Sequence, residues 1–391
     1  MMKLLPVLFA AVLAAIAPPA WAQDTGVTDD TIRIGMFGPL TGAAALYANI
    51  LFGSEALYRD VNDSGGINGR KIQLFVEDDG CNALQGIAAV KKLISEDKVF
   101  LINGGVCSGV SLAAKPEILK SGAPWMVAGA AATEISTPTE PTIFQASPTA
   151  ADNSKEMIDF AMSRPGVTRI AIVAQSDDWG KSYRDPALSY MTSKYHIAPI
   201  ADLQMANTAM DATSQILRLK SSGAQVILAM LYPAPFAVFA RDAYKFGLTT
   251  PVFGNSGVTL FDTLHRVGNP AAMDNVFVYY HLAGTDDGPE LAKFAAIWHR
   301  YYPDKPVNNY SYVGMAGTLA IIHVLKQLGP NVTRARLLDG LDHLQDFSSG
   351  VEAGPTSFSP EQHDGTTTGF MSAIRDGKIA LLRSWADVKP Q

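Results

Sequence analysis

The chain has 391 residues, 48% of them hydrophobic and 17% charged, with 31 basic and 37 acidic side chains and a net charge of −6. This composition is globular, and the length suits two domains of ordinary size. The absence of any basic run argues against a nucleic-acid partner, and seven scattered histidines without a paired motif offer no metal centre.

Residues 1–22 read as a secretory leader. Lys3 is the only charge before Asp24, and Leu4–Ala17 forms an apolar core of 14 residues. Ala20-Trp21-Ala22 supplies the small residues that signal peptidase needs. A membrane anchor requires about 18 apolar residues, and Pro18 and Pro19 interrupt this run. Cleavage is expected before Gln23, with no following cysteine to carry a lipid anchor.

Short apolar runs rich in β-branched residues then alternate with helix-length segments. Strands are predicted at Ile32–Phe37, Lys71–Val76, Val99–Ile102, Trp125–Ala128, Arg169–Ala174, Gln225–Met230, Val252–Gly254 and Val276–Tyr280. Helices are predicted near 44–62, 83–96, 109–121, 150–163, 181–195, 211–222, 234–246, 289–302 and 310–328. Nearly continuous apolar strands between helices imply parallel sheets covered on both faces.

One sheet of that length would be unusually wide. The expected fold is therefore α/β, with two doubly wound parallel-sheet lobes joined by three crossover segments. Lobe 1 takes residues 23–147 and 281–354, and lobe 2 takes 148–280 and 355–391. Open α/β sheets bind ligands beyond the carboxyl ends of their strands, so facing lobes share one cleft.

Cys81 and Cys107 are the only cysteines and lie 26 residues apart. In an exported chain they read as one disulfide closing one loop.

Several motifs occur in a fixed order. Ile34-Gly35 precedes Gly38-Pro39-Leu40-Thr41-Gly42, then Gly65-Gly66-Ile67-Asn68-Gly69-Arg70-Lys71-Ile72 and Glu77-Asp78-Asp79. Cys81, Cys107-Ser108 and Asp177-Asp178-Trp179-Gly180 follow. Together they resemble the type I periplasmic binding proteins, most closely the leucine/isoleucine/valine-binding branch, over essentially the whole chain beyond the leader. The glycines of 65–69 end a helix and turn into a strand, so they are structural. They precede a strand where a dinucleotide loop must follow one.

Four regions are expected to bind. Gly104-Gly105-Val106-Cys107-Ser108-Gly109 leads into a helix whose N–H groups and dipole attract an anion, and Ser108 reads as its cap. The resemblance implies that Ser108 holds a ligand carboxylate. The resemblance assigns backbone contacts to Gly129, Ala130 and Ala131, with Ala131 standing where the family has threonine and Thr133 two residues later. It also matches Tyr47, Trp179, Tyr232 and Tyr310 to aromatic walls.

The fourth region is Gly254-Asn255-Ser256-Gly257, where Ser256 stands at the position of an acid in the family's amino-acid binders. A buried ammonium without a carboxylate partner costs several kcal/mol. The expected ligand is thus a small carboxylate lacking an α-ammonium, an aromatic acid being favoured. Asp177 or Asp178 remains open as a substitute charge.

The resemblance implies a periplasmic, monomeric receptor that delivers its ligand to an ABC permease, with no cofactor. A hydrolase is the rival class, but Val106-Cys107-Ser108-Gly109 lacks the first glycine of a nucleophile elbow, and no catalytic role is expected. Amino-acid binding and a sensing module for a membrane receptor stay open as alternatives.

Overall fold

The computed structural model describes residues 24–388, so the leader lies outside the described residues. Two sheets organise the chain. The first contains β1 (Thr31–Gly38), β2 (Lys71–Asp78), β3 (Leu101–Gly104), β4 (Trp125–Val127) and β5 (Ile143–Gln145). They are all parallel, in the order β2-β1-β3-β4-β5. Helices α1 (Ala48–Asp63), α2 (Ala83–Ser95) and α3 (Ser108–Ser121) alternate with these strands.

The chain then enters the second sheet through α4 (Ala150–Met162). It continues as β6 (Ile170–Gln175), α5 (Asp178–Tyr195), β7 (Ala201–Met205), α6 (Thr213–Ser222) and β8 (Val226–Met230). Helix α7 (Pro233–Lys245), β9 (Val252–Gly254), α8 (Leu260–Val267) and β10 (Val276–Tyr280) complete this pass. Helices α9 (Ala292–Tyr301), α10 (Asn309–Leu328) and α11 (Arg334–Asp342) return to the first sheet, where they share a core with β1 and α1.

The tail adds β11 (Phe370–Arg375) and β12 (Lys378–Leu382) antiparallel at one edge, giving the order β12-β11-β10-β9-β8-β6-β7. This hairpin corrects the wholly parallel sheet expected from the alternation. Its turn is Asp376-Gly377, with φ of 50° and 73°, the paired positive φ that a two-residue hairpin demands. Strand β7 also went unpredicted, because as an edge strand it alternates buried and exposed residues instead of presenting an apolar run.

The last crossing comes later than Gly354-Pro355. Phe358 packs edge-on to Phe144 at 5.2 Å and His363 stacks on it at 3.9 Å. Gly365 and Thr366 donate backbone N–H groups to Gln145 and Ala146. Residues 355–365 are therefore held on the first lobe by aromatic packing.

Each lobe has cores on both faces of its sheet. In the first, α1, α9, α10 and α11 cover one face and α2 and α3 the other. In the second, α4 and α5 oppose α6, α7 and α8. Helices α1 and α10 cross backbone to backbone. A Cβ at Gly53 would lie 1.9 Å from the Ser311 carbonyl oxygen, and one at Gly314 would lie 2.0 Å from that of Ile50. Ser54 Oγ donates to the Gly314 carbonyl at 2.8 Å and fixes the crossing.

Candidate functional site

The strand ends of both sheets feed loops into the space between the lobes. On the first lobe, Tyr47 ends a short 3₁₀ turn (Ala45–Tyr47) before α1, and Tyr310 is the second residue of α10. The close crossing of these helices sets the two rings edge-on, with centroids 5.1 Å apart.

Both phenols reach across to the second lobe. Tyr47 Oη donates to the Gly257 carbonyl at 3.1 Å, and Tyr310 Oη donates to the same oxygen at 2.9 Å. Burial, reinforced by Tyr310, Tyr232, Tyr183 and Asp262, pushes the Tyr47 phenol far above its usual pKa, and burial does the same for Tyr310. Both remain neutral donors.

Trp179 and Tyr232 form the facing wall, stacked at 4.1 Å and 18°. Trp179 lies in the first turn of α5, which begins three residues earlier than expected. Asp177 Oδ1 accepts from Gly180 N at 2.9 Å and caps that helix. Gly180 is required there, since a Cβ would lie 2.0 Å from the Gln175 carbonyl oxygen. Tyr232 is the residue before α7, and its N–H donates to Gln175 Oε1 at 3.2 Å.

Ser256 immediately precedes Gly257, whose carbonyl both first-lobe phenols share. Its N–H donates to Asn153 Oδ1 at 3.0 Å, and its side chain lies beside the buried Tyr183 phenol. Asn255 Oδ1 accepts from Gly257 N at 2.8 Å, and Asn255 Nδ2 donates to the Leu231 carbonyl at 3.0 Å. The carboxylates near this corner already have partners. Asp177 caps α5, exposed Asp178 pairs with Lys181, and Asp262 pairs with Arg266 at 2.6 Å.

The 104–109 loop differs from expectation in two details. Cys107 is the N-cap of α3 and makes no side-chain cap bond, so Ser108 is the first helical residue and not the cap. Buried Ser108 Oγ instead accepts from Ala131 N and Ala132 N, both at 3.2 Å. Gly129 N and Ala130 N both donate to the Gly105 carbonyl at 3.1 Å, and Gln145 Nε2 donates to the Ala130 carbonyl at 3.0 Å.

Thr133 Oγ1 accepts from Ala151 N at 3.1 Å, so its hydroxyl holds the start of α4. The Ala131 carbonyl accepts from Ala150 N at 2.6 Å, and Ala131 packs against the second-lobe core that contains Trp179. The loop therefore bears on the same cleft as the aromatic walls. Cys81 and Cys107 form a disulfide with Cα atoms 5.7 Å apart, joining the end of β2 to the entry of α3.

Tyr183 and Asn153 also belong to this corner and were not singled out in the sequence, whereas Asn255 and Gly257 fall in the fourth expected region without an individual role. Tyr183 had a usable signal, standing one helical turn after Trp179, with ring centroids 4.8 Å apart. Gly257 had none, because it acts through its carbonyl.

The sequence profile of the family described as Periplasmic binding protein matches residues 31–378. Leu/Ile/Val-binding protein homolog 7 of Brucella abortus is 27% identical, covering 98% of this chain and 96% of that protein. Among solved structures, a fatty acid ABC transporter substrate-binding protein from Thermomonospora curvata aligns with a TM-score of 0.80 at 20% identity, covering 93% of this chain and 94% of that one. A branched chain amino acid ABC transporter protein from Thermus thermophilus with bound valine also gives 0.80, at 16% identity, covering 90% and 96%. The chain belongs to the periplasmic binding protein family, and its two-lobed α/β fold is that of the type I members.

Proposed function

We propose that this chain is the solute receptor of an ABC importer and captures a small carboxylate without an α-ammonium, an aromatic acid being favoured. The observation that carries the reading is Ser256. Its N–H is bonded to the neutral Asn153 amide beside the Tyr183 phenol, and its neighbour Gly257 meets Trp179, Tyr47 and Tyr310. A ligand ammonium there would lack a dedicated counter-charge, and desolvating it would cost several kcal/mol. Flat apolar surface suits the rings, each contributing about 1 kcal/mol beyond area burial.

The ligand carboxylate is assigned to Ser108 and the 129–131 loop at the entry of α3, a helix of 14 residues. Carboxylate binding displaces Ser108 Oγ from the Ala131 and Ala132 N–H groups, which then turn to the anion. The second lobe closes over the ligand with Trp179 and Tyr232, and closure is driven by contacts made only in the closed state. Membership of the family implies a periplasmic location. Among the described residues no helix is long and apolar enough to cross a membrane.

Amino-acid binding is the second reading, favoured by the 27% identity to a Leu/Ile/Val-binding protein homolog over 98% of the chain. Mass spectrometry of the copurified ligand, with calorimetric titration of leucine, phenylalanine and 4-hydroxybenzoate, decides between them. Tight leucine binding overturns the preferred reading.

A further inference from the structure

The three crossings between the lobes meet in a buried polar layer, and one carboxylate joins two of them. Glu352 is 5% exposed. Its Oε1 accepts from Ser147 Oγ on the first crossing at 2.7 Å, and its Oε2 lies 2.7 Å from His281 Nδ1 on the second. The backbone around it pairs with the second crossing as well, Ala283 N donating to Val351 O and Ala353 N to His281 O, both at 2.8 Å.

The same short segment touches the third crossing. A Cβ at Gly354 would lie 2.5 Å from Thr368 Oγ1 and 3.0 Å from Thr366 Oγ1. On the far side of the layer, Tyr279 stacks on His281 at 6.2 Å, and a Cβ at Gly369 would lie 2.3 Å from the Tyr279 hydroxyl oxygen. Val351, fully buried, anchors the segment in the first-lobe core.

A buried carboxylate is a costly way to hold a structure together, because an apolar side chain of the same volume often serves stability as well. It does fix geometry, since two short hydrogen bonds tolerate little change in the angle between their donors. We propose that Glu352 is a positioning residue for lobe closure, tying the first and second crossings so that the lobes rotate about one shared axis. Without it each crossing bends independently, and the lobes reach the cleft geometry from a wider range of orientations. The proposal goes beyond the ligand assignment and does not depend on it.

The test uses the ligand-free protein. Leu84 on the first lobe and Met210 on the second are each 78% exposed. Spin labels attached there through a keto amino acid leave the native disulfide undisturbed. Their distance distribution, measured by pulsed electron resonance, should widen roughly twofold in Glu352→Gln and widen less in Ser147→Ala. Ser147→Thr, which keeps the hydroxyl, should restore the wild-type width. A distribution unchanged in centre and width, with only the melting temperature lowered, overturns the proposal. If Glu352→Gln does not fold, Ser147→Ala and its threonine rescue decide alone.

Discussion

Tyr310 Oη lies 2.9 Å from the carbonyl oxygen of Gly257, so a side chain of one lobe is bonded to the backbone of the other. Tyr47 shares the same acceptor at 3.1 Å. Phenols that donate to a common carbonyl form a latch that exists only while the lobes are together. Tyr310→Phe is expected to keep the fold and to weaken binding of the copurified ligand by about 1 kcal/mol, with a larger loss when Tyr47→Phe is added. Calorimetry on the ligand-stripped protein provides the check, and equal affinities would remove the latch from the binding free energy.

Ser108→Ala should affect stability and binding together. The substitution leaves Ala131 N and Ala132 N without their acceptor, which costs about 1–2 kcal/mol where the groups are buried. Loss of a bond to a ligand carboxylate should weaken affinity by roughly 1–3 kcal/mol. Thermal melts with and without ligand separate the two effects. An unchanged affinity in a folded variant takes Ser108 out of the site.

Reduction of the Cys81–Cys107 bridge opens a loop with a sequence separation of 26. The expected destabilisation is about 3 kcal/mol, mainly through the unfolded chain. Because Cys107 adjoins Ser108, affinity should fall in the same reductant titration. A stability loss at constant affinity would confine the bridge to a structural role.

Asp79 carries a pH prediction. It is fully buried, Cys81 N donates to its Oδ1 at 2.8 Å, and its Oδ2 has no hydrogen-bond partner among the described residues. Burial pushes its pKa up to about 6. The unfolded carboxyl ionises near 4, so between about pH 4 and 6 the folded state retains a proton that the unfolded chain has released. Stability from this group therefore falls as pH rises through that window. Asp79→Asn should stabilise the protein by about 1–2 kcal/mol at pH 7.5 and by almost nothing at pH 4. Melting curves at the two pH values that differ by the same amount would refute the assignment.

How much of this was legible depended on what each residue contributes. The strand–helix alternation revealed the central parallel strands, whose residues are buried on both faces. Strand β7 and the β11–β12 hairpin at the margins of the second sheet carry half-exposed patterns and escaped it, and buried β5 escaped it because it is only three residues long. Trp179 and Tyr232 were readable because they follow strands and are bulky. Tyr183 was passed over although it stands one turn after Trp179, because a tyrosine at that spacing is also common in a core. Ser108 was named in the sequence but its bonds were not, since the register that brings Ala131 and Ala132 to its hydroxyl is tertiary. Phe358 and His363 stayed with the first lobe for a similar reason, a stack on Phe144 that local pattern does not encode.

The contacts of Gly53 with Ser311 and of Gly314 with Ile50 lie in the first two turns of α1 and α10, directly behind the phenols at their starts. The spacing of that aromatic pair is inherited from two glycines whose role is to let the helix backbones touch. Change in either glycine would pry the helix starts apart as one unit, so the geometry of the aromatic pair is set partly at the helix crossing. Substitutions surveyed only among pocket-lining residues would miss that source of divergence between relatives.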